Sequence, residues 1–102
     1  MESISLKAVK NGKVVRITIS EGDIIRSYRG RRGCMCGCRG SYSDDPRLGI
    51  RRIRRIIKIT QEEGTLPELD RVGRGWALHL PPEVEERRDV NYTVYLSNIK
   101  IV

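Results

Sequence analysis

Arginine, glycine and cysteine are concentrated in one short stretch, YRGRRGCMCGCRGSYS, which runs from Tyr28 to Ser43. It holds all three cysteines, four of the ten glycines and four arginines. Glycine lets the backbone adopt positive φ angles and lets other atoms approach closely. Arginine supplies a fixed charge and a planar fork of donors that suits phosphate. The stretch therefore predicts a cationic loop whose backbone N–H and guanidinium groups surround an anion.

The arginines and glycines of this stretch are the first candidates for ligand binding, because guanidinium forks and free amides both favour phosphate oxygens. The spacing matches neither a Walker loop nor the GxGxxG turn of dinucleotide-binding folds. An aromatic residue within the stretch is available to stack on a purine. The predicted ligand-binding set is Arg29, Arg31, Arg32, Gly33, Gly37, Arg39 and Tyr42, with Arg51, Arg55 and, from a neighbouring subunit, Arg88. A solvated basic loop is the alternative interpretation.

Three cysteines at alternating positions, Cys34, Cys36 and Cys38, allow three interpretations. As zinc ligands they need a fourth partner, which has to be the distant His79, a carboxylate or a cysteine of another subunit. As small, nearly apolar side chains they fill a tight turn, and this interpretation predicts no cofactor. As nucleophiles they are favoured by the surrounding arginines but lack a neighbouring base. Their odd number and crowding predict reduced thiols in a cytoplasmic setting.

Length and charge limit the classes of function. The chain has 102 residues, which predicts one domain covering 1–102. Its net charge is +7, and residues 26–55 hold ten arginines against two aspartates, so the expected partners are anions such as nucleotides or nucleic acid. No stretch approaches the roughly 20 apolar residues of a membrane span, and the N-terminus lacks the apolar segment of a signal peptide. No paired carboxylates or nucleophile–base pair stand out, so we expect a binding protein and not an enzyme.

Hydrophobic periodicity predicts an α+β fold in which a small antiparallel sheet packs against one amphipathic helix. The predicted elements are strands at 4–9, 14–19 and 24–29 that form a meander, a helix at 46–63, and strands at 76–80 and 92–96. The Asn11-Gly12 pair predicts the first hairpin turn. The isoleucine face of the helix is Ile50, Ile53, Ile56, Ile57 and Thr60, opposite Arg51, Arg54, Arg55 and Lys58. Residues 66–75 are predicted as a polar loop and 83–89 as a charged connection. His79 alternates with Leu78 and Leu80, which predicts a histidine at the surface or rim.

The run from Arg29 to Ser43 resembles a motif of small bacteriophage proteins, RG-x-x-G-C-x-C-G-C-x-G-x-Y-S. In those proteins it follows an N-terminal β-hairpin and precedes an amphipathic helix, and the chain ends in a strand like that at 92–96. In size and in its βββαββ-like plan the chain is similar to the phage sponges that defeat Thoeris defence. The resemblance implies a non-enzymatic homo-oligomer in the host cytoplasm that sequesters cyclic ADP-ribose isomers or cyclic oligonucleotides.

Two alternatives come from the same residues. The basic loop and the basic helix face are also typical of a nucleic-acid-binding protein, since both could lie along a phosphate backbone. The cysteines alternatively indicate a small interaction module that is stabilised by zinc.

Overall fold

The computed structural model describes residues 3–31 and 40–102 of the chain. These residues form eight strands, two α-helices and one 3₁₀ turn, which confirms the predicted α+β class. In chain order the strands are β1 (Ser3–Lys10), β2 (Lys13–Ser20), β3 (Ile24–Gly30), β4 (Ser41–Ser43), β5 (Glu68–Val72), β6 (Gly75–His79), β7 (Asn91–Leu96) and β8 (Lys100–Ile101). The helices are α1 (Pro46–Glu62) and α2 (Pro82–Arg88), and the 3₁₀ turn is Glu21–Asp23.

All eight strands belong to one sheet, in the order β4-β3-β7-β6-β5-β1-β2-β8. The β1–β2 hairpin is as predicted, because Asn11 and Gly12 both adopt the positive φ angles of its turn. The predicted meander is wrong at its third strand, since β3 pairs with β4 and β7 at the far end of the sheet. Strand β8 occupies the edge of β2 that a meander would have used. Only β1 and β5 run parallel, and they meet at Val9 and Glu68.

Helix α1 confirms the helix prediction. Asp45 caps it by accepting a hydrogen bond from the backbone N–H of Arg47, and Pro46 occupies the first turn. The predicted isoleucine face packs into the sheet, whereas Arg51, Arg54, Arg55 and Lys58 are exposed. Because isoleucine is a weak helix former, this burial stabilises the helix more than its intrinsic propensity does.

Two segments predicted as irregular have regular structure. The polar loop contains β5, which buries only Leu69 and is joined to β6 by a turn at Gly73 with φ of 57°. The charged connection contains α2, which buries only Val84. Each element is held by a single apolar anchor, and a single anchor produces no periodic pattern in the sequence.

Both helices lie on the same face of the sheet, since Val84 of α2 belongs to the core that α1 forms with the strands. Along β7 the residues alternate, with Tyr92, Val94 and Leu96 buried on the helix side and the intervening residues only half-buried. No helix of the described residues covers the other face, which we call the open face. In the same residues, no helix is both long enough and apolar enough to span a membrane.

Candidate anion-binding site

Two adjoining pockets lie on the helix side, where β3 and β4 meet α1 and the end of α2. The main pocket, of about 610 Å³, is lined by Arg29, Gly30, Arg31, Gly40, Ser41, Arg52, Arg88, Asp89 and Val90. The side pocket, of about 380 Å³, is lined by Arg29, Arg55, Ile59, Arg88, Val90 and Tyr92. The two share Arg29, Arg88 and Val90, so they form one continuous concave surface that we call the arginine pocket.

Arg52 forms the floor of this surface, and only 6% of the residue is exposed. Its Nη1 donates to the carbonyl oxygen of Ser27 at 2.9 Å, to the Ser27 hydroxyl at 3.0 Å and to the carbonyl oxygen of Ser41 at 3.2 Å. Its Nη2 donates to the Ser41 hydroxyl at 3.4 Å. A helix side chain thereby joins two strands, and it does so with neutral acceptors only.

The charge of Arg52 has no carboxylate to balance it among residues 3–31 and 40–102, and its buried Nε lacks a hydrogen-bond partner there. Burial and the nearby charge of Arg29 lower the pKa of Arg52. A buried cation without a counter-charge is costly, and proteins usually pair such groups or use them to bind an anion. Arg52 is therefore the strongest indication of an anion site, and sequence analysis missed it.

Three more cations surround this floor without ion pairs to described carboxylates. Arg29, Arg31 and Arg55 are exposed at the pocket wall. Arg29 lies 6.0 Å from the centre of the Tyr92 ring, a cation–π contact that orients the guanidinium without neutralising it. The described lining of the arginine pocket therefore holds five arginines against one carboxylate, Asp89, which leaves an excess of positive charge within a concave wall.

Arg88 differs because it is held by carboxylates of α1. Its Nε donates to Glu63 at 3.0 Å and its Nη1 lies 3.0 Å from Glu62. These bonds raise the pKa of Arg88 and, together with the bond from Arg87, lower the pKa of Glu63. The pairs fix the end of α2 against α1 and so shape the pocket wall.

Glycine permits the packing beside the pocket. A Cβ at Gly30 or Gly40 would overlap the phenol of Tyr28, so both positions have to be glycine while that ring stays in place. The Tyr28 ring also packs on Tyr42, with ring centres 4.7 Å apart. Gly30 and Gly40 thus accommodate an aromatic ring and also line the main pocket, whereas Gly33 and Gly37, the glycines predicted to bind the ligand, lie outside the described residues.

The structure brings together four of the predicted ligand-binding residues: Arg29, Arg31, Arg55 and Arg88. Arg88 reaches the pocket within the same chain, whereas the sequence placed it there from a neighbouring subunit. Arg51 lines neither pocket. Tyr42 pairs with Tyr28 and points away from the face that holds Ser41, so it too lines neither pocket. The predicted residues Arg32, Gly33, Gly37 and Arg39, and the possible zinc ligands Cys34, Cys36 and Cys38, lie outside the described residues.

Comparisons with protein families, with characterised proteins and with solved structures find no match to this chain. The site is therefore interpreted from its own geometry and charge.

Proposed function

We propose that this protein binds and sequesters a phosphorylated nucleotide in the arginine pocket. The observation that carries the proposal is Arg52, a buried guanidinium with no carboxylate partner among the described residues, beneath Arg29 and Arg31, which form no ion pair with a described carboxylate. Phosphate supplies the missing charge and accepts several guanidinium hydrogen bonds at once.

Pocket size and lining support a nucleotide over inorganic phosphate. Small-molecule sites commonly enclose about 300–1,000 Å³, and the main pocket at about 610 Å³ is within that range. The side pocket adds an apolar wall from Ile59, Val90 and Tyr92 next to Arg29 and Arg55. A ligand with phosphates in the main pocket and a ribose or base on this wall would use both parts.

The resemblance to phage sponges provides the first ligands to test. It favours cyclic ADP-ribose isomers and cyclic oligonucleotides, which combine phosphates with a base. On this proposal the protein is a homo-oligomer that acts in the host cytoplasm, and it holds the signal without changing it. Among the described residues that line the pocket, none is a nucleophile paired with a base, as a protein that retains its ligand unchanged requires.

Ligand recovery tests the proposal. The purified protein is incubated with a panel of cyclic ADP-ribose isomers and cyclic di- and trinucleotides, separated from free ligand and denatured, and the released molecules are identified by mass spectrometry. We expect intact ligand at a fixed ratio to protein. Altered ligand would indicate an enzyme, and no retained ligand from the panel would contradict sequestration of this class of nucleotide.

A second candidate function is single-stranded nucleic-acid binding on the open face. Tyr42 is 62% exposed, and Arg26 lies 5.6 Å from its ring centre and 5.4 Å from that of Tyr95. Exposed aromatic rings beside arginine are typical of surfaces on which bases stack. A salt titration separates the two functions, because a protein making 6–10 phosphate contacts loses about 10³–10⁵-fold in affinity between 50 and 200 mM salt. A nucleotide in a preformed pocket depends on salt far less.

A further inference from the structure

Three potential metal ligands meet on the open face, away from the arginine pocket. Glu68 and Asp70 alternate along β5, and Glu68 pairs with His79 of β6, so all three side chains project from one side of the hairpin. The ligand atoms of the three residues lie within 4.8 Å of one another. The β5–β6 register thus brings His79 next to two carboxylates that precede it by nine and eleven positions in the sequence.

The histidine is oriented from outside the cluster. Its Nδ1 lies 2.8 Å from the carbonyl oxygen of Leu80, which can only accept, so Nδ1 carries the proton. Nε2 faces the Asp70 carboxylate at 2.5 Å, and because a carboxylate only accepts, Nε2 donates a second proton to it. A backbone carbonyl that accepts the N–H of one ring nitrogen orients the imidazole of metal-binding histidines, and here it turns the other nitrogen toward the carboxylates.

The two carboxylates of the cluster carry more negative charge than the neighbouring cations balance. Among residues 3–31 and 40–102, Asp70 pairs with no cation other than His79, and Glu68 forms no ion pair. Two carboxylates facing one imidazole leave a net negative charge even when the imidazole carries a second proton. A divalent cation on Nε2 would replace that proton and balance both carboxylates.

We propose that Glu68, Asp70 and His79 form a binding site for a divalent transition-metal ion, with Zn²⁺ as the best-matched probe. One imidazole and two carboxylates suit zinc, with water completing a four-coordinate shell. Tetrahedral ligands at bond lengths of about 2.0–2.1 Å stand roughly 3.3 Å apart. Binding therefore requires Asp70 to move back from His79 and Glu68 to approach, and Asp70, whose side chain is 60% exposed, is free to rotate.

The proposed site uses none of the cysteines and does not rest on the proposed nucleotide function. It is also easy to observe, because His79 is the only histidine of the chain and its imidazole resonances need no assignment. Tag-free protein, stripped with a chelator, is titrated with Zn²⁺ while the imidazole signals are followed by NMR. We expect them to shift and saturate at one equivalent, and chelator to reverse the change.

Variants separate the proposed site from other zinc binding. Asp70→Asn and Glu68→Gln should each weaken the zinc-dependent shift about tenfold or more, whereas Glu83→Gln, an exposed acid on α2, should leave it unchanged. His79→Ala should remove the corresponding zinc from calorimetric titrations. Zinc that binds while the His79 signals stay in place would assign it to the cysteines and overturn the proposal. Equal affinity in Asp70→Asn and Glu83→Gln would overturn it too.

Discussion

The two faces of the sheet place arginine in different environments. On the open face, Arg26 is exposed and lies near the rings of Tyr42 and Tyr95, with cation–π contacts like that of Arg29 to Tyr92. On the helix side, Arg52 is buried without a carboxylate, and Arg29 and Arg31 beside it form no ion pair with a described residue. Residues of one strand, β3, contribute to both arrangements. Burial of an arginine without a carboxylate, as at Arg52, and not arginine content, distinguishes the candidate site from a solvated basic surface.

The strongest test of this contrast is Arg52→Met. The substitution removes a costly buried charge but leaves the carbonyl oxygens and hydroxyls of Ser27 and Ser41 without their donor; we expect the lost hydrogen bonds to dominate and the free energy of unfolding to fall by about 3 kcal/mol. Urea denaturation followed by circular dichroism measures it. Arg51→Met, one position along the same helix but exposed, should change stability by about 0.5 kcal/mol at most. Equal losses of stability in the two variants would show that the hydrogen bonds of Arg52 do not hold α1 to β3 and β4.

Gly30→Ala tests the packing that borders the pocket. The new methyl group would overlap the Tyr28 phenol, and we expect unfolding to become easier by about 1–3 kcal/mol, as for other overpacked sites. Thermal denaturation provides the measurement. Adding Tyr28→Val should recover much of the loss, because it removes the ring that the methyl group meets. A neutral single substitution would show that the Tyr28 ring moves aside at no cost and would contradict the tight packing beside Gly30.

Two arginines of α1 provide a matched comparison for ligand binding. Arg55 lines the side pocket and Arg51 lines neither pocket, although both are exposed arginines of α1. We expect Arg55→Gln to weaken nucleotide binding about tenfold through the loss of a charge-assisted hydrogen bond. Calorimetry should find Arg51→Gln unchanged. A general effect of positive charge would instead weaken both variants equally.

The smallest expected effect is the pH dependence of stability that comes from Glu63 at the pocket wall. Hydrogen bonds from Arg87 and Arg88 lower the pKa of Glu63 in the folded protein. A carboxyl group with a depressed pKa stabilises the fold above its unfolded pKa, and this stabilisation is lost as pH falls through the folded pKa. Wild type should therefore be slightly more stable than Glu63→Gln at neutral pH, with the difference vanishing in acid. Melting curves across pH measure this difference, and a constant difference would contradict the assignment.

Local patterns in the sequence were sufficient for part of the fold. The Asn11-Gly12 turn and the isoleucine face of α1 depend on neighbouring residues, and both were predicted. The position of β3 was not, because strand pairing at the far end of the sheet depends on contacts distant in sequence. The pairing of β2 with β8, a two-residue strand, likewise gave no periodic signal.

The candidate site shows the same division. A cluster of arginine and glycine identified the region, and Arg29 and Arg31 line the pocket. Arg52 was missed because arginine side chains are usually exposed to solvent. A usable signal existed, since Arg52 lies four and seven residues before Ile56 and Ile59, the spacing of the buried face. Tyr42 was predicted beside the arginines as a loop residue, whereas it lies on β4, where strand alternation directs it to the face opposite Ser41.

The most direct measurement compares two arginines of β3 that lie on opposite faces of the sheet. Binding of the cyclic nucleotide panel is measured by calorimetry at 50 and 200 mM salt for wild type, Arg29→Gln and Arg26→Gln. Our account predicts that Arg29→Gln weakens binding at least about tenfold at both salt concentrations while Arg26→Gln binds like wild type. Loss of binding in Arg26→Gln with Arg29→Gln unaffected would contradict it and place the ligand on the open face.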